Sequence, residues 1–155
     1  MDINVERRLQ MKKDYMEKLT PLFTYIPYLK SKEGHNTRSL YKGNEDAVTK
    51  NTVPVPVYDS QVLAFVKEAQ KTGLITTNYV YPYSKIKVNT PQDERLYISG
   101  AEFKDIDTVI AIMAKYVILG MTKGVVWAQA VEEGVWLHCL IKLKELLEIY
   151  DRPLA

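Results

Sequence analysis

The chain has 155 residues, 46% hydrophobic and 26% charged, with a net charge of +2. Such a chain is long enough to bury a core without disulfides or metals, and its composition excludes disordered and fibrous classes. Charge is only mildly uneven: residues 1–50 hold ten Lys/Arg against seven Asp/Glu, and residues 101–155 hold six against eight. That allows a basic patch without announcing a nucleic-acid binder.

The first element runs from about Asn4 to Leu29. Val5, Leu9, Lys12, Met16 and Leu19 follow helical spacing, and Lys or Glu fills most positions between them. Thr20-Pro21 reads as a restart, with threonine as cap and proline at the first helical position. Pro27 is expected to kink or end the stripe. Residues 30–57 read as irregular, punctuated by Gly34, Gly43, Asn44, Asn51, Pro54 and Pro56; the Val/Pro alternation of Val53–Val57 suits an extended or edge segment.

A second helix follows. Asp59 is a good N-cap and Tyr58 is placed to staple onto Leu63. Val62, Phe65, Val66 and Ala69 give one buried face, and Gly73-Leu74 supplies a left-handed stop with an apolar residue to fold back. Residues 75–98 carry the strand character of the chain. Tyr79, Tyr81 and Tyr83 alternate with Val80 and Pro82, Lys85 and Lys87 continue the parity, and Asn89-Thr-Pro-Gln-Asp93 has turn composition. With Leu96-Tyr-Ile98 returning, the segment predicts a short β-hairpin.

The third helix starts near Asp105 or Asp107 and is apolar nearly all round from Val109 to Met121, as a helix buried by several neighbours would be. Lys104, Thr108, Lys115 and Thr122 form its one thin polar stripe, and Gly124 ends it. Trp127, Ala130 and Val131 give a short amphipathic helix closed by Gly134. A last helix runs from Val135 to about Tyr150, with Trp136, Leu140, Leu143, Leu147 and Tyr150 on one face. The fold class is therefore mainly α: about five helices in an orthogonal or bundle-like single domain over 1–155, with one small hairpin.

From Gly124 the chain reads Gly-Val-Val-Trp-Ala-Gln-Ala-Val-Glu-Glu-Gly-Val-Trp-Leu-His-Cys-Leu-Ile-Lys-Leu, ending at Leu143. With the helices before it, this resembles a family of small bacterial proteins known only as a domain of unknown function, which share a Gly-aromatic-x2-Ala-x3-Gly-x5-Leu-x2-Leu signature. The resemblance covers residues 57–150 at most. It implies the helical outline and a bacterial or mobile-element origin, and brings no catalytic residue.

Candidate chemistry is sparse. Cys139 is the only cysteine, which excludes an internal disulfide and a thiolate metal cluster. His138 and Cys139 are neighbours, but adjacent helical residues point about 100° apart and make a poor catalytic dyad. Cys139 is expected as a buried inert thiol and His138 as a solvated side chain. His35 and His138 lie far apart with no metal-ligand spacing, and Glu132, Glu133, Asp93 and Glu94 read as solvated charges, so no metal and no cofactor are expected. Gly120, Gly124 and Gly134 lack the Lys-Ser/Thr of a phosphate loop. Lys115, alone in an apolar helix, could serve as an amine nucleophile or base; the ordinary reading lays its stem along the surface with the ammonium in water.

Eleven tyrosines against three phenylalanines leave much aromatic surface with a polar tip. On a strand, Tyr79, Tyr81, Tyr83, Lys85 and Lys87 would share one outward face, the expected partner-binding surface of the chain. Tyrosines there suit a protein contact, and beside cations they suit bases of single-stranded nucleic acid. The expectation is a non-enzymatic binding or adaptor protein contacting another protein or itself. A nucleic-acid-binding regulator is the alternative, and a small enzyme using Lys115 or carboxylates a further one. The longest apolar run is too short for the roughly 20 residues of a membrane span, and the first twenty residues are charged unlike a signal peptide, so cytoplasmic residence without membrane contact is expected.

Overall fold

The computed structural model of the chain describes residues 3–35, 38–41, 55–123 and 125–149. They are mainly helical: α1 (Ile3–Phe23), α2 (Ile26–Lys32), α3 (Ser60–Lys71), α4 (Val80–Ser84), α5 (Pro91–Ser99), α6 (Ile106–Leu119), α7 (Val126–Glu132) and α8 (Val135–Ile149). Eight helices thus replace the expected five or so, because the expected first element divides into α1 and α2 and the expected hairpin forms α4 and α5.

The division falls at Thr24-Tyr25, not at Thr20-Pro21. Pro21 stays inside α1 and the Thr20 hydroxyl bonds back to the Met16 carbonyl at 2.5 Å. Pro27, expected to end a helix, instead sits in the first turn of α2, where its missing N–H costs nothing.

The expected hairpin over 75–98 is not formed. Thr76 caps a 3-10 turn at Thr77–Tyr79 by accepting from the Asn78 N–H, and α4 follows directly. Thr90 caps α5 by accepting from the Asp93 N–H, with Pro91 at the first helical position; the Asp93 carboxylate accepts in turn from the Asn89 N–H. The supposed turn Asn89–Asp93 is a helix start, and these caps override the period-two pattern. An antiparallel pair does occur, but elsewhere. Strand β1 (Arg38–Tyr41) pairs with β2 (Val55–Tyr58), Arg38 opposite Tyr58 and Tyr41 opposite Val55. β2 lies where the Val/Pro alternation placed an extended segment.

The buried residues form one cluster centred on α6 and α8. Helix α6 packs against the 77–79 turn, α4, α7 and α8, and α8 also receives α1, α2 and α5. Val62, Phe65, Val66 and Ala69 of α3 are buried as their spacing requires, and Gly73 closes that helix with φ of +74°. Asp59 occupies the cap position without capping. Its carboxylate accepts from the Tyr28 hydroxyl at 2.8 Å and lies 3.5 Å from Lys32 Nζ, tying α3 to α2. Leu63 is exposed, and Tyr58 stacks instead on Trp127, so no staple forms.

Ile112 and Tyr116 are buried, as the apolar pattern of α6 requires, but Leu119 is only half-buried and Met121, expected in the same buried run, is exposed past the helix end. The helix stops at Gly120, earlier than expected, and Trp127 occupies the space a side chain there would need; Gly124 lies outside the described residues. Both indoles hang on α6: Trp136 Nε1 donates to the Met113 carbonyl at 3.2 Å and Trp127 Nε1 to the Val117 carbonyl at 3.0 Å. Tyr150, the last expected residue of α8, lies outside the described residues, as do 42–54 of the irregular region.

Candidate functional site

A cluster of titratable side chains joins α4, α5 and α6. Glu94, expected as a solvated charge, is 1% exposed. It lies four residues before buried Ile98, so the face of α5 that meets the core carries it inward. The core receives it with donors. Tyr83 Oη donates to Glu94 Oε2 at 2.7 Å, Lys115 Nζ to the same oxygen at 3.1 Å, and the Tyr116 hydroxyl to Oε1. Lys115 Nζ also donates to Tyr83 Oη at 2.8 Å and lies 4.5 Å from the centre of the Tyr83 ring and 5.0 Å from that of Tyr116.

Lys115 therefore does not extend into water as expected; its ammonium is held by a buried carboxylate and two aromatic faces. A charge taken out of water must be paired and hydrogen-bonded, and Glu94 has donors on both oxygens. Burial, and then the hydrogen bond to Glu94, pushes the hydroxyls of Tyr83 and Tyr116 above their ordinary value. They are held as donors, opposite to what a tyrosine base needs.

The tyrosine–lysine surface expected on a strand does not exist as one face. Along a helical path, residues two apart point about 200° apart. Tyr79 and Tyr83 turn inward and are half-buried, while Tyr81 between them is 70% exposed. Lys85 and Lys87 are exposed beyond the end of α4. His138 and Cys139 diverge as expected, and Cys139 is fully buried with Sγ 3.6 Å from the Val109 carbonyl; His138, expected in water, is instead half-buried, with Nδ1 donating to the Gly134 carbonyl at 2.7 Å and lying 3.7 Å from Glu33 Oε2. Burial, with a smaller contribution from Glu94, pushes the Cys139 thiol upward, the unreactive direction. Among the described residues no group of three or more His, Cys, Asp or Glu side chains could hold a metal ion.

Beside this cluster lies an open cleft of about 280 Å³. Ile110, Ala111 and Ala114 of α6 form its floor, Tyr15 of α1 stands on one side, and Tyr79 and Pro82 stand on the other. The Tyr15 hydroxyl donates to the Asp107 carboxylate at the rim. Burial and that carboxylate both push the Tyr15 hydroxyl up. Tyr83, one residue past Pro82, anchors α4 to α6 through Glu94, so the network fixes one wall of the cleft.

Sequence reasoning passed over Glu94 and Tyr116. The available signal was partial: Lys115 is a lone cation in an apolar helix, but Glu94 could be set on a core face only once 91–99 was recognised as a helix.

Compared with known proteins, the chain matches no protein-family model, no curated protein and no solved structure. No helix among the described residues is long and apolar enough to cross a membrane.

Proposed function

We propose that this protein is a non-enzymatic binding module that contacts another protein, in the first place a second copy of itself, through the first half of α1. One observation carries the reading. Val5 and Leu9 are 45% and 50% exposed, whereas Leu19 and Leu22 of the same helix are fully buried. Val5 and Leu9 continue, at helical spacing, the stripe that Met16 and Leu19 bury in the domain. The apolar stripe of α1 thus runs on past its own core through Val5 and Leu9, and an apolar helical stripe left uncovered is where a partner helix would pack.

The charges beside that face favour a second copy. Glu6 and Lys13 each follow a stripe position, Val5 and Lys12, by one residue, so they share one flank. Antiparallel pairing of two α1 helices sets Glu6 of each copy toward Lys13 of the other, the self-complementarity a two-fold contact needs. Of the five contact residues expected over 79–87, Tyr81, Lys85 and Lys87 are exposed and open to a partner.

Sedimentation velocity on the full chain over a wide concentration range tests this. The wild type is expected to dimerise reversibly, and the Val5→Glu/Leu9→Glu variant to stay monomeric with unchanged helicity. A wild type monomeric throughout refutes the reading. If that monomer also binds heparin with steep salt dependence, Arg7, Arg8 and Lys13 serve phosphates instead.

A further inference from the structure

We propose that the cleft between α1, α4 and α6 binds a small alkylammonium group, carried by a free amine or by a lysine side chain. This rests on the cleft alone and is independent of the contact assigned to α1.

The lining is one-sided in charge. Asp107 contributes a carboxylate, and no Lys, Arg or His lines the cleft among the described residues. The Tyr15 hydroxyl donates to Asp107 Oδ1, which fixes the carboxylate at the rim and leaves Oδ2 without a partner among the described residues. An ammonium is the donor that an oriented, uncommitted carboxylate oxygen takes best. Tyr15 and Tyr79 line the same space, and an aromatic ring beside a carboxylate is a setting that attracts a cation. The Asn78 side-chain amide, also on the lining, has no partner among the described residues and adds an acceptor oxygen.

The rest of the lining suits an alkyl stem. Ala111 and Ala114 keep the floor open because their side chains end at Cβ, and Ile110, Leu74 and Pro82 complete an apolar surround. The volume falls just under the roughly 300–1,000 Å³ of sites for drug-sized ligands. A chain of about four carbons ending in an ammonium fits that description, and a short anion does not.

The test is a ¹H–¹⁵N NMR titration of the full chain with n-butylammonium chloride, n-butanol and the lysine derivative Nα-acetyl-lysine methylamide. Saturable shifts confined to the amides of 74–79 and 107–114 are expected with butylammonium, in the weak range of a fragment. Asp107→Asn should weaken that binding about tenfold, as for loss of one charged hydrogen bond. Ala111→Leu, which fills the floor, should abolish it in a chain whose other resonances are unmoved. Tighter binding of the lysine derivative than of butylammonium identifies a peptide as the source of the group; the reverse identifies a free amine. No saturation, equal binding of butanol, or unchanged affinity in both variants overturns the proposal.

Discussion

Replacing Lys115 by methionine keeps the length of the stem and removes the ammonium that faces Glu94. The two groups lie 3.1 Å apart. At an effective dielectric of about 20, Coulomb attraction at that distance is ~5 kcal/mol, and much of it is offset by the cost of taking Glu94 out of water. Unfolding therefore reads the cost of leaving a buried carboxylate without its cation, about 3–5 kcal/mol where such pairs are broken. The lower end applies here. Tyr83 and Tyr116 still donate to Glu94, and the Lys115 side chain is 25% exposed, so water replaces part of what it supplied. With a urea dependence near 2 kcal/mol per molar, a loss of about 3 kcal/mol lowers the unfolding midpoint by ~1.5 M. Glu94→Gln should also destabilise, since the neutral amide leaves Lys115 without its counter-charge. The double variant should then lose less than the sum of the two by about 1–3 kcal/mol, the coupling expected of directly bonded groups. A Lys115→Met chain within ~0.5 kcal/mol of wild type, as for an ordinary surface change, would refute the reasoning, and so would an additive cycle.

Two other perturbations bear on the same core. A Cβ on Gly120 would come within 2.0 Å of Trp127 Cδ1, so Gly120→Ala should expel the indole, break its bond to the Val117 carbonyl and cost about 1–3 kcal/mol; tryptophan emission should move red while Trp136 stays buried, and unchanged emission and stability would count against the packing described. Tyr15, Tyr28, Tyr83 and Tyr116 all have hydroxyls raised above the ordinary value of 10.0, by burial first and then by the carboxylate each one donates to. A pKa raised on folding stabilises the protonated native form, so this contribution is intact below about pH 10 and is lost as pH climbs above it. Urea midpoints should hold up to that point and then fall, with tyrosinate absorbance of these four appearing only as the chain unfolds; their ionisation near pH 10 with native circular dichroism retained would be inconsistent with the hydrogen bonds to Asp107, Asp59 and Glu94.

What the sequence disclosed depended on how many residues a signal could recruit. α3, α6 and α8 each repeat an apolar face over several turns, and their buried residues fall where the spacing puts them, from Val62 and Ala69 to Leu140, Leu143 and Leu147. Over 79–83 the competing pattern had only five residues. Tyr-Val-Tyr-Pro-Tyr alternates, but an alternation that short is also one and a half turns of helix, and only Thr76 and Thr90, acting as caps, decide between the two. The error then propagated from local structure to the site. On a strand, the three tyrosines form a surface; on a helix, Tyr83 turns in and becomes a donor to Glu94, and only Tyr81 stays outside. Glu94 was illegible for the same reason, since no side chain can be assigned to a core face before its helix is recognised. Two features had no signal at all in a linear reading. The cleft joins Tyr15 to Asp107 across 92 positions of sequence, and the pairing of Glu94 with Lys115 needs α5 and α6 to be set against each other. The chain's tyrosine excess has a physical account once those partners are known. At Tyr15, Tyr28, Tyr83 and Tyr116 a phenylalanine could fill the volume, but it would leave Asp107, Asp59 or Glu94 short of a donor, and in the buried case of Glu94 that omission would be costly.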